Sequence, residues 1–186
     1  MDDAALVQAT LKGEASAFAN LVQRYQARVY NLAYRIIGPA DAEDAAQESF
    51  VKAYTQLSTY KPEHKFSNWL LSITAHYCID LVRRRKRMGA YLEALALERP
   101  VEAGPEAALV QKESRSDVQR LVATLPPSYR AVLVLHYWHD LPCAEIAQML
   151  GLSENCVRVR LHRARHLMAA RMRSAHKETE REAAFL

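Results

Sequence analysis

Almost every stretch of this chain repeats its apolar residues at three- and four-residue steps, and no segment alternates apolar with polar residues over the length of a strand. An all-α fold is therefore expected. Only five glycines are available for turns, so glycine and proline positions mark the breaks between helices. From Glu14 to Ile37, the residues Phe18, Leu21, Val22, Tyr25, Val29, Leu32, Ala33 and Ile36 form one buried stripe on a long helix. Gly38-Pro39 ends it. Asp41 is expected to cap a second helix, with Asp44 three positions on as in a capping box, and Ala42, Ala46, Phe50 and Ala53 as the apolar side. That helix should run to about Tyr60. Lys61 to Ser67 is polar, contains Pro62 and reads as a loop. Trp69 to Val82 resumes a helical pattern that ends in Arg83-Arg84-Arg85-Lys86-Arg87.

At 186 residues two small domains are the natural division. The first should close near residue 87. Gly89, Pro100, Gly104 and Pro105 punctuate a stretch without long-range patterning, so a flexible linker is expected over 88–104, with a short helix possible at Tyr91 to Leu97. The second domain should span 105–175: a helix from Glu106 to Thr124, a break at Pro126-Pro127, a helix from Ser128 to His139, and two further helices ending at Arg173. A frayed tail at 176–186 would follow.

The net charge is +4 and the pI about 9.0, which suits a polyanionic partner without requiring one. Cations gather at Arg83 to Arg87 and from Arg158 to Lys177. Acidic residues gather at Asp2-Asp3, at Asp41 to Glu48 and in the linker. This asymmetry points to two kinds of partner surface. Three cysteines, Cys78, Cys143 and Cys156, have no repeated spacing and point to a reducing compartment, with packing as their simplest role. No segment has the apolar length to span a bilayer, and Met1-Asp2-Asp3 is unlike a signal peptide, so a cytoplasmic protein without direct membrane insertion is expected.

The most specific local signal runs from Leu141 to Arg165 and reads as a helix-turn-helix. Pro142 suits a first helical turn, Ile146 and Leu150 face a core, and Ala147 is small where two helices cross. Gly151 supplies a left-handed turn residue and Ser153 can cap the next helix. In that second helix Val157, Leu161, Ala164 and Met168 form the inner face. Asn155, Cys156, Arg158, Val159, Arg160, His162 and Arg163 are placed to meet a DNA major groove, where arginines either read guanine or neutralise phosphate. A solvated basic helix in a bundle is the plainer alternative.

The first half carries two further motifs. Asp41-Ala-Glu-Asp-Ala-Ala-Gln-Glu-Ser-Phe-Val-Lys-Ala-Tyr54 puts Asp44, Gln47, Glu48 and Val51 on one outer face. Lys65-Phe66-Ser-Asn68-Trp69, continuing through His76 to Arg83, Arg84 and Arg85, joins aromatic and polar groups able to hold an extruded base to arginines able to hold a single-stranded backbone. Trp69 fits a core position equally well. Taken in order, these segments resemble domains two and four of the extracytoplasmic-function (ECF) sigma factors, over about residues 14 to 87 and 106 to 173. The resemblance implies an alternative sigma factor and not an enzyme. The Asp44, Gln47, Glu48, Val51 face would dock on the clamp coiled coil of the largest subunit of core RNA polymerase. The second domain would meet the polymerase flap. Lys65, Phe66, Asn68, Trp69, His76, Arg83, Arg84 and Arg85 would capture the minus-ten element of promoter DNA. Ser153, Asn155, Cys156, Arg158, Val159, Arg160, His162 and Arg163 would read the minus-thirty-five duplex. An anti-sigma factor would hold the protein inactive. His76 stands where the family usually has Asn, Asn155-Cys156 where it commonly has Gly-Thr, and Val159 where Ser is common.

A free-standing helix-turn-helix regulator would need the second domain but neither the acidic face nor the aromatic segment. No glycine-rich phosphate loop or nucleophile-base-acid set suggests catalysis. His136, His139 and Cys143, and His162 with His166, do not complete a zinc set, so no metal or cofactor is called for. In the free chain the two domains are expected to pack together and hide their binding surfaces.

Overall fold

The computed structural model describes residues 2–97 and 117–183. Among them every regular element is helical: α1 (Asp3–Leu11), α2 (Ala15–Ile37), α3 (Pro39–Thr55), a single 3₁₀ turn (Leu57–Thr59), α4 (Phe66–Leu97), α5 (Asp117–Ala123), α6 (Pro127–Tyr137), α7 (Cys143–Leu150) and α8 (Glu154–Ala183). The first four helices make one unit around Leu21, Val29, Leu32, Ile36, Leu70 and Leu71. The last four make a second around Val122, Val132, Leu135, Ile146, Val157 and Leu161.

The α2 stripe is buried as its periodicity requires, from Leu21 through Ile36. α1 is the element that periodicity does not announce. Asp2 caps it by accepting from the Ala5 amide at 2.8 Å, and Leu6, Val7 and Ala9 are buried. Asp3 then pins it to α2, accepting from Arg24 and from the Tyr25 hydroxyl, each at 2.5 Å. The two leading acids are thus a cap and a pin. Burial first, and then the Asp3 carboxylate, pushes the Tyr25 phenol up to about 12.

Three boundaries differ from the sequence expectation. α3 begins at Pro39, not after Asp41, because Gly38 takes φ +92° and turns the chain directly into a helix whose first residue is proline. Asp41 is consequently inside the first turn and pairs with Arg85 of α4, both guanidinium nitrogens reaching the carboxylate. That pairing holds the Asp41 carboxyl below its usual range. α3 stops at Thr55, and Leu57 of the following 3₁₀ turn is buried. α4 continues to Leu97, through residues expected to start the linker. Gly89 is the one weak helix former between Val82 and Leu97, and a single glycine costs only about 1 kcal/mol in a helix. Residues 98–104 and the expected helical stretch 106–116 lie outside the described residues. α8 likewise passes Ala175, where a frayed tail is expected, and its backbone is helical to Ala183. The run from Arg158 to that point contains neither glycine nor proline.

The two units are in contact, and the contact is organised by the C-terminus of α2. A helix end leaves its last carbonyls without intrahelical donors. Here the Gly38 amide serves Tyr34 O at 2.9 Å, and the second unit supplies more. Arg130 of α6 donates to Ile36 O, and also to Ala123 O and to Leu125 O (2.9 Å). Gln119 of α5 donates to Tyr34 O at 3.3 Å and accepts from Arg35 at 3.4 Å. The Arg35 guanidinium lies 4.5 Å above the Trp138 ring. Beside it sits His139, whose Nε2 is buried with no hydrogen-bond partner among the described residues. Burial, then the charges of Arg28 and Arg35, push His139 down to about 4 against the weaker pull of Asp140.

Two consequences are measurable. Arg130→Ala removes three carbonyl contacts, so it should lower stability by about 1–3 kcal/mol in denaturant titration, with the loss seen in both units if the cap joins them. His139 is neutral when folded and titrates near 6.5 when unfolded. The unfolded chain therefore binds more protons between those values, and stability falls as pH drops from about 6.5 toward 4. His139→Phe should flatten the melting temperature across that window relative to the parent chain, and an unchanged pH slope would contradict the assignment.

Candidate nucleic-acid and partner interfaces

α3 buries Ala42, Ala45, Ala46, Ser49 and Ala53. The opposite side carries exposed Asp44 and Gln47 with half-buried Glu48, and Val51 is 57% exposed. The four residues singled out from the sequence therefore share one accessible face. Tyr54, 51% exposed, extends it and was not anticipated. It lies edge-on to Phe18 at 5.0 Å, which fixes its ring. Glu48 is 3.4 Å from Lys52 one turn on, which leaves Asp44 as the acid of this face without an ion pair among the described residues. The surface is acidic at one end and apolar at the other, the pattern of a docking face for a partner with basic groups flanking an apolar patch.

The start of α4 brings a second set together. Tyr60, Phe66 and Trp69 pack with ring centroids 5.5–5.6 Å apart, and Tyr25 adds a fourth ring against Phe66. Phe66 is 2% exposed. In this arrangement Phe66 packs beneath Tyr60 and Trp69 as part of the core. Trp69 is half-buried and combines both alternatives, packing on Phe66 while lining a cavity of about 460 Å³ with Tyr60, Lys65 and Asn68. The far side of Trp69 borders a groove of about 610 Å³ with His76, Tyr77 and Arg84. His76 is exposed, and its Nδ1–H donates to Ser72 O at 2.8 Å. When the ring is neutral, this tautomer leaves Nε2 as an acceptor facing outward.

Arg83, Arg84 and Arg85 follow on exposed positions of the same helix. Arg85 is engaged with Asp41 and Arg83 is 3.7 Å from Asp80. Arg84 stands on the groove wall with no such pair among the described residues. An aromatic platform with a nearby row of guanidinium groups can hold stacked bases and their backbone.

The helix-turn-helix is formed by α7 and α8. Gly151 adopts φ +63°, ψ +39°, and the Leu152 amide closes the turn on Ala147 O at 2.8 Å. Ser153 accepts from the Cys156 amide at 3.2 Å, so its hydroxyl is a cap. Val157, Leu161 and Ala164 are buried, and Met168 packs on them. Asn155, Arg158, His162 and Arg163 are exposed, and Val159 is 39% exposed. Cys156 and Arg160 are partly covered. Arg158 pairs with Glu154 at 2.5 Å, and Arg163 donates to the Tyr129 hydroxyl at 3.4 Å.

Other groups have local roles. His136 Nδ1–H donates to Leu141 O at 2.9 Å, and among the described residues no three His, Cys, Asp or Glu side chains converge. Cys78 is buried, which pushes its thiol up to about 12. Among the described residues no helix is long and apolar enough to cross a membrane.

Two helical units, one with an exposed docking face and an arginine-flanked aromatic cavity and one with a helix-turn-helix, define a DNA-reading protein of the sigma class. The first unit matches Sigma-70 region 2 over residues 21–88, and the second matches Sigma-70, region 4 over residues 115–168. The chain belongs to the ECF RNA polymerase sigma factors. It is 35% identical over 173 residues to the ECF RNA polymerase sigma factor SigW of Bacillus subtilis, covering 87% of this chain and 92% of that protein. It is 30% identical over 174 residues to the ECF RNA polymerase sigma-E factor of Escherichia coli K12, covering 89% and 91%. Among solved structures it is similar to CnrH in complex with the cytosolic domain of CnrY, with TM-score 0.66 and 28% identity over 92% of this chain and 97% of that one. The fold is also that of RpoE from Bartonella quintana, solved with the anti-sigma factor NepR, at TM-score 0.64 and 16% identity over 84% and 96%.

The turn geometry sets a stability test. Gly151→Ala places a side chain at positive φ, so it should cost about 1 kcal/mol, read as a lower melting temperature with unchanged helicity.

Proposed function

We propose that this chain works as an alternative sigma factor that brings core RNA polymerase to a restricted set of promoters. The observation that carries the reading is the presence in one chain, in order, of the α3 face, the aromatic cavity with its arginines, and the helix-turn-helix. A free-standing regulator has use for the last alone.

In this reading Asp44, Gln47, Glu48 and Val51, with Tyr54, dock on the clamp coiled coil of the largest polymerase subunit. The second unit meets the flap. Asn68, Trp69 and Lys65 hold an unpaired minus-ten base at the cavity, His76 contributes its outer ring nitrogen, and Arg83, Arg84 and Arg85 hold the strand. Asn155, Arg158, Val159, His162 and Arg163 face the minus-thirty-five major groove, while Ser153 and Cys156 set the start of the helix. The ion pairs at Arg83 and Arg158 are exposed. Such pairs contribute about 0–1 kcal/mol, so the guanidinium groups transfer readily to phosphate. Promoter DNA is bound by a cytoplasmic protein, and an anti-sigma factor holds it in reserve. The complex of CnrH with a domain of a second protein supports that last element.

Run-off transcription with purified core polymerase over a genomic promoter library tests this. The parent chain should initiate from a narrow set of promoters. Arg158→Ala should reduce initiation about tenfold, the scale of one lost base or phosphate contact of ~1–3 kcal/mol. The Asp44→Ala, Glu48→Ala pair should weaken recruitment of core at all promoters alike. Tight, sequence-specific duplex binding by the chain alone, with no initiation, would instead establish a free-standing regulator.

A further inference from the structure

α7, the first helix of the helix-turn-helix, reaches the first unit with one carboxylate. Glu145 Oε2 accepts from Asn68 Nδ2 at 2.5 Å, and its Oε1 lies 3.3 Å from Lys65 Nζ. One turn on, the Gln148 amide stands 3.3 Å from the His64 ring. Together with Met149 these side chains form the wall of the 460 Å³ cavity opposite Tyr60 and Trp69. The second unit therefore closes a cavity whose remaining walls belong to the first.

The chemistry of that closure matters. A carboxylate placed on an amide N–H and an ammonium satisfies the same donors that a phosphate oxygen or a base carbonyl would use. The Lys65 side chain is 71% exposed, so this ion pair is weak and exchangeable, whereas the bond from half-buried Asn68 is short and charge-assisted. The contact that closes the cavity is thus polar and partly open to solvent.

We propose that α7 is a built-in competitor for the minus-ten strand: Glu145 occupies the Lys65–Asn68 subsite in the free chain, and single-stranded DNA enters the cavity only when the second unit moves away. The inference rests on the assignment of that cavity made under Proposed function. The two occupants exclude each other, so the coupling is reciprocal. Whatever separates the units raises affinity for the strand, and the strand favours separation.

The test compares the full-length parent chain with Glu145→Gln, Glu145→Ala and Glu43→Gln, each checked for unchanged helicity. Glu43 is exposed on α3 and outside the cavity, so its variant controls for the same change in net charge. The probe is a short, fluorescein-labelled, mixed-sequence single-stranded oligonucleotide, read by anisotropy. Glu145→Ala should bind roughly fivefold or more tighter than the parent, Glu145→Gln should fall between them, and Glu43→Gln should shift less than either. Variants at Glu145 that gain no more than Glu43→Gln, or that bind no probe, would overturn the proposal. In run-off transcription with saturating core, Glu145→Gln should initiate as the parent does, and its failure there would make Glu145 a promoter contact and overturn the competitor role. A parent chain that initiates normally while the Glu145 variants gain nothing removes the latch and leaves the sigma reading standing. A parent chain that does not initiate removes both.

Discussion

The C-terminal turn of α2 cannot satisfy its own carbonyls, and the arrangement of the whole chain follows from how they are satisfied. Gly38-Pro39 ends the helix abruptly, which allows α3 to fold back at once but offers only one amide, that of Gly38, to the turn behind it. Arg130 and Gln119 come from the second unit to the same turn. A guanidinium is well suited to this place because it carries several donors and a charge that favours a helix C-terminus. Once α6 is fixed there, α7 has little freedom and lies across the start of α4, where Glu145 meets Asn68.

The same economy of charge runs through the binding surfaces. Asp41, the acid nearest the start of α3, is taken by Arg85, while Asp44 is exposed and has no ion pair among the described residues. Exposed pairs at Arg83 and Arg158 hold those side chains in defined directions without holding them tightly, since such pairs contribute about 0–1 kcal/mol. A nucleic-acid backbone, which offers multiple contacts, would displace such pairs at small cost. On the sigma reading the arginines would thus be ordered before the polyanion arrives and remain available to it.

Much of this was legible in the sequence, and the reasons are specific. The α2 stripe, the inner face of α8 and the roles of Gly151 and Ser153 follow from periodicity and turn chemistry, which act locally. The start of α3 was misplaced because Asp41 looks like a cap. Only the fold shows that Gly38 makes the turn and that Arg85 claims the carboxylate. α1 was missed because its two acids read as surface charge, while their partners, Arg24 and Tyr25, lie more than a dozen residues on. Phe66 was placed on DNA because an aromatic beside Asn68 and Trp69 suits a base, and its burial depends on Tyr25 and Tyr60, which no local pattern connects to it. Glu145 carried no signal at all, since its meaning lies entirely in a contact between units.

That contact lays polar pairs over an apolar base, since the buried apolar side chains of both units form one cluster. Arg130, Gln119, Arg35, His139, Glu145 and Asn68 meet across its polar part. Polar groups of this kind suit units that separate and rejoin, because each finds water or a new partner when exposed, while the apolar base sets the cost that separation must meet. A partner need only bind the separated form better than the joined one by a few kcal/mol to shift the population. On the sigma reading, a polymerase surface that engages both units at once would supply that difference.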